Sequence, residues 1–276
     1  MVPQISLEKA DSQRSGPASA HEQAALNAEV WSRGNFVSEY AKSELRPPEA
    51  ALFERFEAEI AGRVLELGCG AGRVTGHLIR RAEQVEALDL SPAMIEYCRA
   101  KYPGGKFEIG DLSDLSRYES GSFDAVVASF CVLDVLDDAD RRHTLEEIHR
   151  LLAPDGVLIA SFHNLHYAPL IVGPTRVLAR SPLQIVRNIL RTPVRVRNHR
   201  SLRGLQRFES DYAVLVDEGQ EFSLLHYYIS RDAQKRQFGE LRFEMLECLD
   251  MKGAAVGPGE TAAWCPELHY AARRLG

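Results

Sequence analysis

The chain has 276 residues, 45% apolar and 26% charged, and its 33 Lys+Arg against 39 Asp+Glu give a formal net charge of -6. That balance excludes a disordered or fibrous chain and suits one large domain with an elaboration, because single cores stop growing near about 250–300 residues. The charge is unevenly spread: between Gly156 and Phe208 there is no acid but there are nine arginines (Arg176, Arg180, Arg187, Arg191, Arg195, Arg197, Arg200, Arg203 and Arg207), leaving 24 of the 33 bases to face 39 acids elsewhere.

Residues 1–24 are rich in Ser, Gln, Ala and Pro without apolar periodicity, so they read as a flexible tail. They lack the basic start and apolar run of a secretory signal, and no stretch of about 18 apolar residues follows, so the expectation is a cytoplasmic protein without a transmembrane segment. Leu26, Val30, Trp31, Phe36, Val37 and Tyr40 recur at loosely helical spacing, and Pro47-Pro48 opens another helical stretch. Residues 25–61 are therefore expected to form N-terminal helices. The period then changes. Short apolar runs at 63–67, 85–88, 106–109, 123–129 and 157–162 alternate with helical stretches at 73–81, 92–101 and 139–152, the last ended by Ala-Pro-Asp-Gly. Strands alternating with helices predict an α/β fold, a parallel sheet covered on both faces, with a core over 62–163.

Residues 164–230 read as an insertion. Arg176, Arg180, Arg187 and Arg191 are spaced to charge one helical face, while Val177, Leu178, Leu183, Ile185, Val186, Ile189 and Leu190 form the other. Such a helix suits a lid over an acidic acceptor, a membrane-surface contact or a face docked on the acidic body. Alternating runs at 209–216 and 221–229, separated by Asp-Glu-Gly-Gln, predict a β-hairpin. A helix at 231–241 and runs at 243–249 and 267–272 return to the core over 231–276. Cys69, Cys98, Cys131, Cys248 and Cys265 form no CxxC and no Cys/His cluster, so free thiols and no metal site are expected.

The informative segment is Val64–Arg73, VLELGCGAGR. Gly68, Gly70 and Gly72 fall between a strand and a helix, where glycine permits a sharp turn and close approach of a ligand. A dinucleotide fingerprint would place its third glycine where this chain has Arg73, and Glu66 sets a carboxylate beside the loop that repels phosphate and attracts a cation. Asp89 and Asp111 end the next two strands. Acids at strand C-termini can accept hydrogen bonds from ribose hydroxyls and from an exocyclic amino group. A ligand with an ammonium, a ribose and an amino-purine fits all three carboxylates.

These pieces, ELGCGAG, Asp89 in ALDLSPAMIEYC, Asp111-Leu112 in GDLSDL, FDAVVASF and LLAPDGVLI, resemble the class I S-adenosylmethionine-dependent methyltransferases in order and spacing. The resemblance covers roughly residues 60–165. It implies a Rossmann-like sheet of seven strands with the last antiparallel, inserted beside the sixth, and S-adenosyl-L-methionine as cofactor. It also implies roles: Gly68, Cys69 and Gly70 against the methionine part with Glu66 supporting them, Asp89 on the ribose, Leu90 and Met94 around the adenine, Asp111-Leu112 at the adenine edge, and Ser129-Phe130 near the sulfonium. Tyr40, Arg46 and Arg73 are implied at the carboxylate end.

Methyl transfer from a sulfonium needs an aligned nucleophile and, for a hydroxyl, a base. His163 and Tyr228 are the candidates for base or hydrogen-bond anchor, with His166, His226 and Tyr227 nearby; alternation puts His226 and Tyr228 on one face of the hairpin. The fourth strand runs into SFCV rather than the [ND]PP[YF] signature of base methylation, which disfavours nucleic acid. Asp134, Asp137 and Asp138 could hold a metal, but Asp137 and Asp138 suit a helix start better. The acceptor is then a small metabolite or a peptide methylated on N or O, and an acidic one would suit the arginine block. A non-catalytic cofactor-binding module and an NAD-dependent oxidoreductase remain alternatives.

Overall fold

The computed structural model describes residues 18–33, 37–41, 44–167, 173–175 and 181–276. The strands are β1 (Arg63–Leu67), β2 (Gln84–Asp89), β3 (Lys106–Ile109), β4 (Phe123–Ala128), β5 (Leu152–Asn164), β6 (Arg207–Phe208), β7 (Tyr212–Val216), β8 (Leu225–Ile229), β9 (Phe243–Leu249) and β10 (Glu267–Arg274). Parallel pairing gives the order β3-β2-β1-β4-β5, and β10 runs antiparallel between β5 and β9. That is the expected seven-stranded sheet, with β10 as its last strand.

Alternate residues explain why the central strands read as continuous apolar runs. Leu65, Leu67, Val126, Ala128, Leu158 and Phe162 pack on one face with Leu145 and Ile148 of α7 (Asp138–Leu151) and Phe238 of α9 (Arg231–Glu240). Val64, Ala125, Val127, Val157 and Ile159 pack on the other with Leu52 and Phe53 of α3 (Pro47–Arg55), Ile60 of α4 (Glu57–Ile60) and Leu78 of α5 (Thr75–Leu78). α6 (Pro92–Lys101) covers β2 and β3 through Ile95 and Cys98.

Three strands exceed the seven. β5 carries β10 along one edge, and its pairing with β4 along the other ends at Ala128↔Ala160. β4 turns away there because Phe130 and Cys131 take positive φ, at 64° and 56°. The edge so freed is taken up by β8, in parallel at His163↔Tyr228 and Asn164↔Ile229. β7 and β6 follow antiparallel. The predicted hairpin thus forms, with shorter strands, and a cleft opens where β4 departs and β8 begins.

Several elements differ from expectation. The helix α1 (Ala18–Arg33) starts inside the stretch read as a tail, because Gln23 and Asn27 are buried polar anchors rather than tail residues. Asn27 Nδ2 donates to the carbonyls of Val135 and Leu225, both at 2.7 Å, and Asn27 Oδ1 accepts from Leu225 N, while Gln23 donates to Leu136 O. A second helix, α2 (Val37–Tyr40), is a single turn. The Ala-Pro-Asp-Gly segment lies within β5 rather than before it, since Asp155 at φ 62° makes an irregularity in pairing with β4 instead of a break.

The largest difference is α8 (Pro182–Leu202). Its body-facing side is polar: Arg195 is buried against Phe222 and near Glu221, Arg191 pairs with Glu221, and Asn198 donates to Glu221 O at 3.0 Å. The apolar side faces out, with Leu183 82% and Leu190 74% exposed. Arg176, Val177, Leu178 and Arg180 of the predicted helix lie outside the described residues.

Candidate active site

A cavity of about 460 Å³ runs along the C-terminal ends of β1, β2 and β4 and ends beneath the β7–β8 connection. At one end the chain leaves β1 into a turn with Gly68 and Gly70 at φ 63° and 52°. A Cβ at Gly68 would lie 2.1 Å from Val132 Cγ2, so only glycine fits, whereas the Cβ direction of Gly70 is open space. Gly72 serves packing: a Cβ there would meet Tyr102 Cε2 at 2.4 Å.

Glu66 is buried and accepts from Thr75 Oγ1 at 2.6 Å. Burial pushes its carboxyl up to about 8, against the smaller opposing effects of Thr75 and Arg73. Asp89 accepts from Gly70 N at 2.8 Å with one oxygen and from Ser91 N at 2.9 Å with the other, which locks the carboxylate rim to the glycine turn. Burial also raises Asp89. Asp111 is exposed and accepts from the backbone N and hydroxyl of Ser113. Arg73 forks onto Glu49, with Nη2 to Oε1 at 2.7 Å and a second bond from Nη1.

The other end is a set of rings and carboxylates. His163 donates from its backbone N to Asp134 Oδ2 at 2.7 Å, and its Nδ1 lies 2.9 Å from the same oxygen. With the proton on Nδ1, Nε2 is left as an acceptor. Asp134 is fully buried in the 3-10 turn Val132–Val135 and has the equally buried Arg141 at 3.5 Å behind it. The His163 ring stacks on His226 at 5.0 Å and tilts against Tyr228 at 4.8 Å. Asp217 Oδ2 holds both neighbours, with His226 Nδ1 and Tyr228 Oη each at 2.6 Å. Burial alone would raise Asp217, but His226, His163 and the Tyr228 hydroxyl together outweigh it and hold the carboxyl below the ordinary range. In return Asp217 overcomes the burial of His226 and raises it. The ligand atoms of His163, Asp217 and His226 lie within 4.8 Å of one another, as do those of Cys131, Asp134 and His163, so either group could hold a cation.

Residues 64–156 match the family described as Methyltransferase domain. The magnesium-protoporphyrin O-methyltransferase of Rhodobacter capsulatus is 38% identical over 85 residues, 29% of this chain and 37% of the relative. The ubiquinone biosynthesis O-methyltransferase of Xanthomonas oryzae pv. oryzae is 31% identical over 112 residues, 38% and 45% of the two chains. The chain spans less than half the length of these relatives. Among solved structures, a 1,6-didemethyltoxoflavin-N1-methyltransferase from Burkholderia thailandensis, holding 1,6-didemethyltoxoflavin and S-adenosylhomocysteine, aligns with a TM-score of 0.59 at 16% identity over 97% of this chain and 98% of that one. An S-adenosylmethionine-dependent methyltransferase from Clostridium acetobutylicum gives 0.59 at 14% identity over 87% and 96%.

Residues 64–156 are a methyltransferase domain, and the fold is that of solved S-adenosylmethionine-dependent methyltransferases.

Of the residues anticipated from the sequence, Tyr40, Glu66, Gly68, Cys69, Gly70, Arg73, Asp89, Leu90, Met94, Asp111, Leu112, Ser129, Phe130, His163 and Tyr228 all line this cavity. Arg46 does not. Its guanidinium is taken by Glu267 at the start of β10 and stacks on Phe130 at 4.3 Å, so it buttresses the wall from outside. Three residues of the cavity and its surround carry no such signal in the sequence. Asp134 was weighed only as a metal ligand, Asp217 only as a turn residue, and Trp31 only as a helix residue; the first two act through histidines distant in sequence, which no local pattern discloses. Asp137, by contrast, caps α7 as its position suggested, accepting from Ala139 N and Asp140 N.

Proposed function

We propose that this protein transfers the methyl group of S-adenosylmethionine to an oxygen or nitrogen of a small-molecule acceptor, with His163 as the base. One observation carries this reading: the carboxylates Glu66 and Asp89 and the open glycine turn line the same continuous cavity as His163, His226 and Tyr228. The residues suit the cofactor. Gly70 leaves room beside the backbone, Asp89 presents a locked acceptor for hydroxyl donors, and Glu66 offers a buried carboxylate that a nearby cation would favour in its ionised form. When bound, S-adenosylmethionine supplies a methyl group already activated as a sulfonium.

The chain then has to place a nucleophile in line with that methyl and keep water away. Trp31, Ala28 and Tyr40 close the cavity from the N-terminal helices, and Gly219 and Gln220 close it from the β7–β8 connection. Asp134 fixes the His163 ring so that Nε2 can take the proton of an acceptor O–H or N–H as the bond to carbon forms and the thioether departs. The buried, hydrogen-bonded His226 and Tyr228 supply the remaining polar groups that orient the acceptor.

The deciding experiment is calorimetry with S-adenosylhomocysteine and with NAD(H). Binding of the first and not the second is expected, and Asp89→Ala should weaken it by at least about tenfold, in line with loss of a charge-assisted hydrogen bond. Wild-type affinity in that variant would sink the ribose assignment.

A further inference from the structure

We propose that the outward face of α8 docks on an anionic membrane surface. The proposal rests on the placement of side chains along this helix and is independent of the methyl-transfer reading.

Leu183, Val186, Ile189, Leu190 and Val194 are between 47% and 82% exposed. At 100° per residue they occupy one continuous sector, opposite the sector of Arg191, Arg195, Asn198 and Leu202 that meets the body. An amphipathic helix ordinarily hides its apolar side; here the polar side is the one tied down, by Glu221 and Phe222. Exposed apolar side chains gathered in one stripe mark an interaction surface.

Charge decides what kind of surface. Arg187, Arg197 and Arg200 flank or interrupt the stripe and are exposed, and no acid occurs between Gly156 and Phe208. Arg187 borders the stripe and Arg197 and Arg200 continue its sector beyond Val194, and an apolar stripe with basic residues beside and beyond it suits a helix lying in the headgroup plane of an anionic bilayer, its apolar side about 5–10 Å deep. A second copy meets an obstacle: an isologous contact would oppose this arginine set to itself with no acid on the same face to pair it. The acid-poor segment contrasts with the rest of the chain, where 24 bases face 39 acids; such an acidic body would be repelled by anionic lipid and leaves α8 as the favoured contact. The same helix is pinned through Glu221 to the connection that carries Asp217 and Gly219 into the cavity, so docking would set the cavity near the membrane.

The test is flotation of the full-length protein with vesicles of phosphatidylcholine alone and of phosphatidylcholine with phosphatidylglycerol. Binding to the anionic vesicles only is expected, weakened at least about tenfold by L183S/L190S and by R187Q/R197Q/R200Q, and reduced by salt. These side chains are exposed, so both variants should keep the wild-type melting temperature and S-adenosylhomocysteine affinity; a variant that loses either is replaced by L190S alone. Absence of binding to anionic vesicles, or equal binding by the variants, overturns the proposal. So does a concentration-dependent dimer that L183S/L190S abolishes while vesicles are ignored, or capture of a polyglutamate peptide with no vesicle binding. Vesicle binding without S-adenosylhomocysteine binding would leave the docking face standing and defeat the cofactor reading instead.

Discussion

Asp134 shows how one residue links packing to chemistry. It is fully buried, faces Arg141 at 3.5 Å and accepts both the backbone N of His163 and its ring. His163→Ala should therefore lower turnover about 100-fold or more, the usual contribution of a general base, while leaving S-adenosylhomocysteine affinity unchanged; equal loss of both would show that the residue supports the cavity rather than the proton transfer. Glu66 invites a separate measurement. With its carboxyl near 8 it is mostly protonated at pH 7, and a cationic ligand beside it lowers that value. Binding of S-adenosylmethionine at pH 7 should release a proton, seen as a calorimetric heat that varies with buffer ionisation enthalpy and vanishes in Glu66→Gln. A buffer-independent heat would contradict the placement of the cation.

Among elements, α7 and α9 hold the floor of the site from behind. Arg141 on α7 donates to Gln234 at 2.7 Å and to Gln237 on α9, and its guanidinium lies over Phe162 at 4.3 Å and Tyr227 at 4.6 Å. Replacing it by methionine leaves the Asp134 carboxylate buried without a cation, so Arg141→Met should cost about 3 kcal/mol of stability, read from denaturant melts; a cost near zero would show that Arg141 does not support Asp134. The strands themselves were largely legible: β1, β3, β4 and β9 fall within a residue or so of the apolar runs, because a strand covered on both faces announces itself. α1 begins ahead of the helix expected from residue 25, since Gln23 looks like a tail residue until its carbonyl partner at Leu136 is known. For α8 the arginine spacing predicts one charged and one apolar side and leaves open which of them is covered. Periodicity gives the sides of a helix but not which one meets the body.

For the whole molecule, ionisation couples the site to stability. Glu66 is raised from 4.5 to about 8, so the unfolded chain loses this proton first and the native state loses stability as pH climbs toward 8. His226, raised by Asp217, acts with the same sign: its contribution is complete below the ordinary 6.5 and is lost as pH passes its native value. Asp217, lowered, contributes fully above 3.8 and is silent in this range. His269, held down to about 4 by burial, has the opposite sign, but its unfolded form is already neutral above 7. The melting temperature should fall between pH 7 and pH 8, and by less in Glu66→Gln; a flat profile would be inconsistent with a buried neutral carboxyl.

The sequence by itself determined the α/β class and which residues sit at the glycine turn and the strand ends beside it, because glycines that take positive φ and acids at successive strand ends are local features. Tertiary structure decided the rest. It joined Asp134 to His163 and Asp217 to His226 across 29 and 9 residues, drew Arg46 away to Glu267, added β8 to the edge that β4 leaves, and turned the apolar side of α8 outward. Each of these depends on which surfaces meet in space, a choice set by burial and by pairing of charges between segments far apart in the chain.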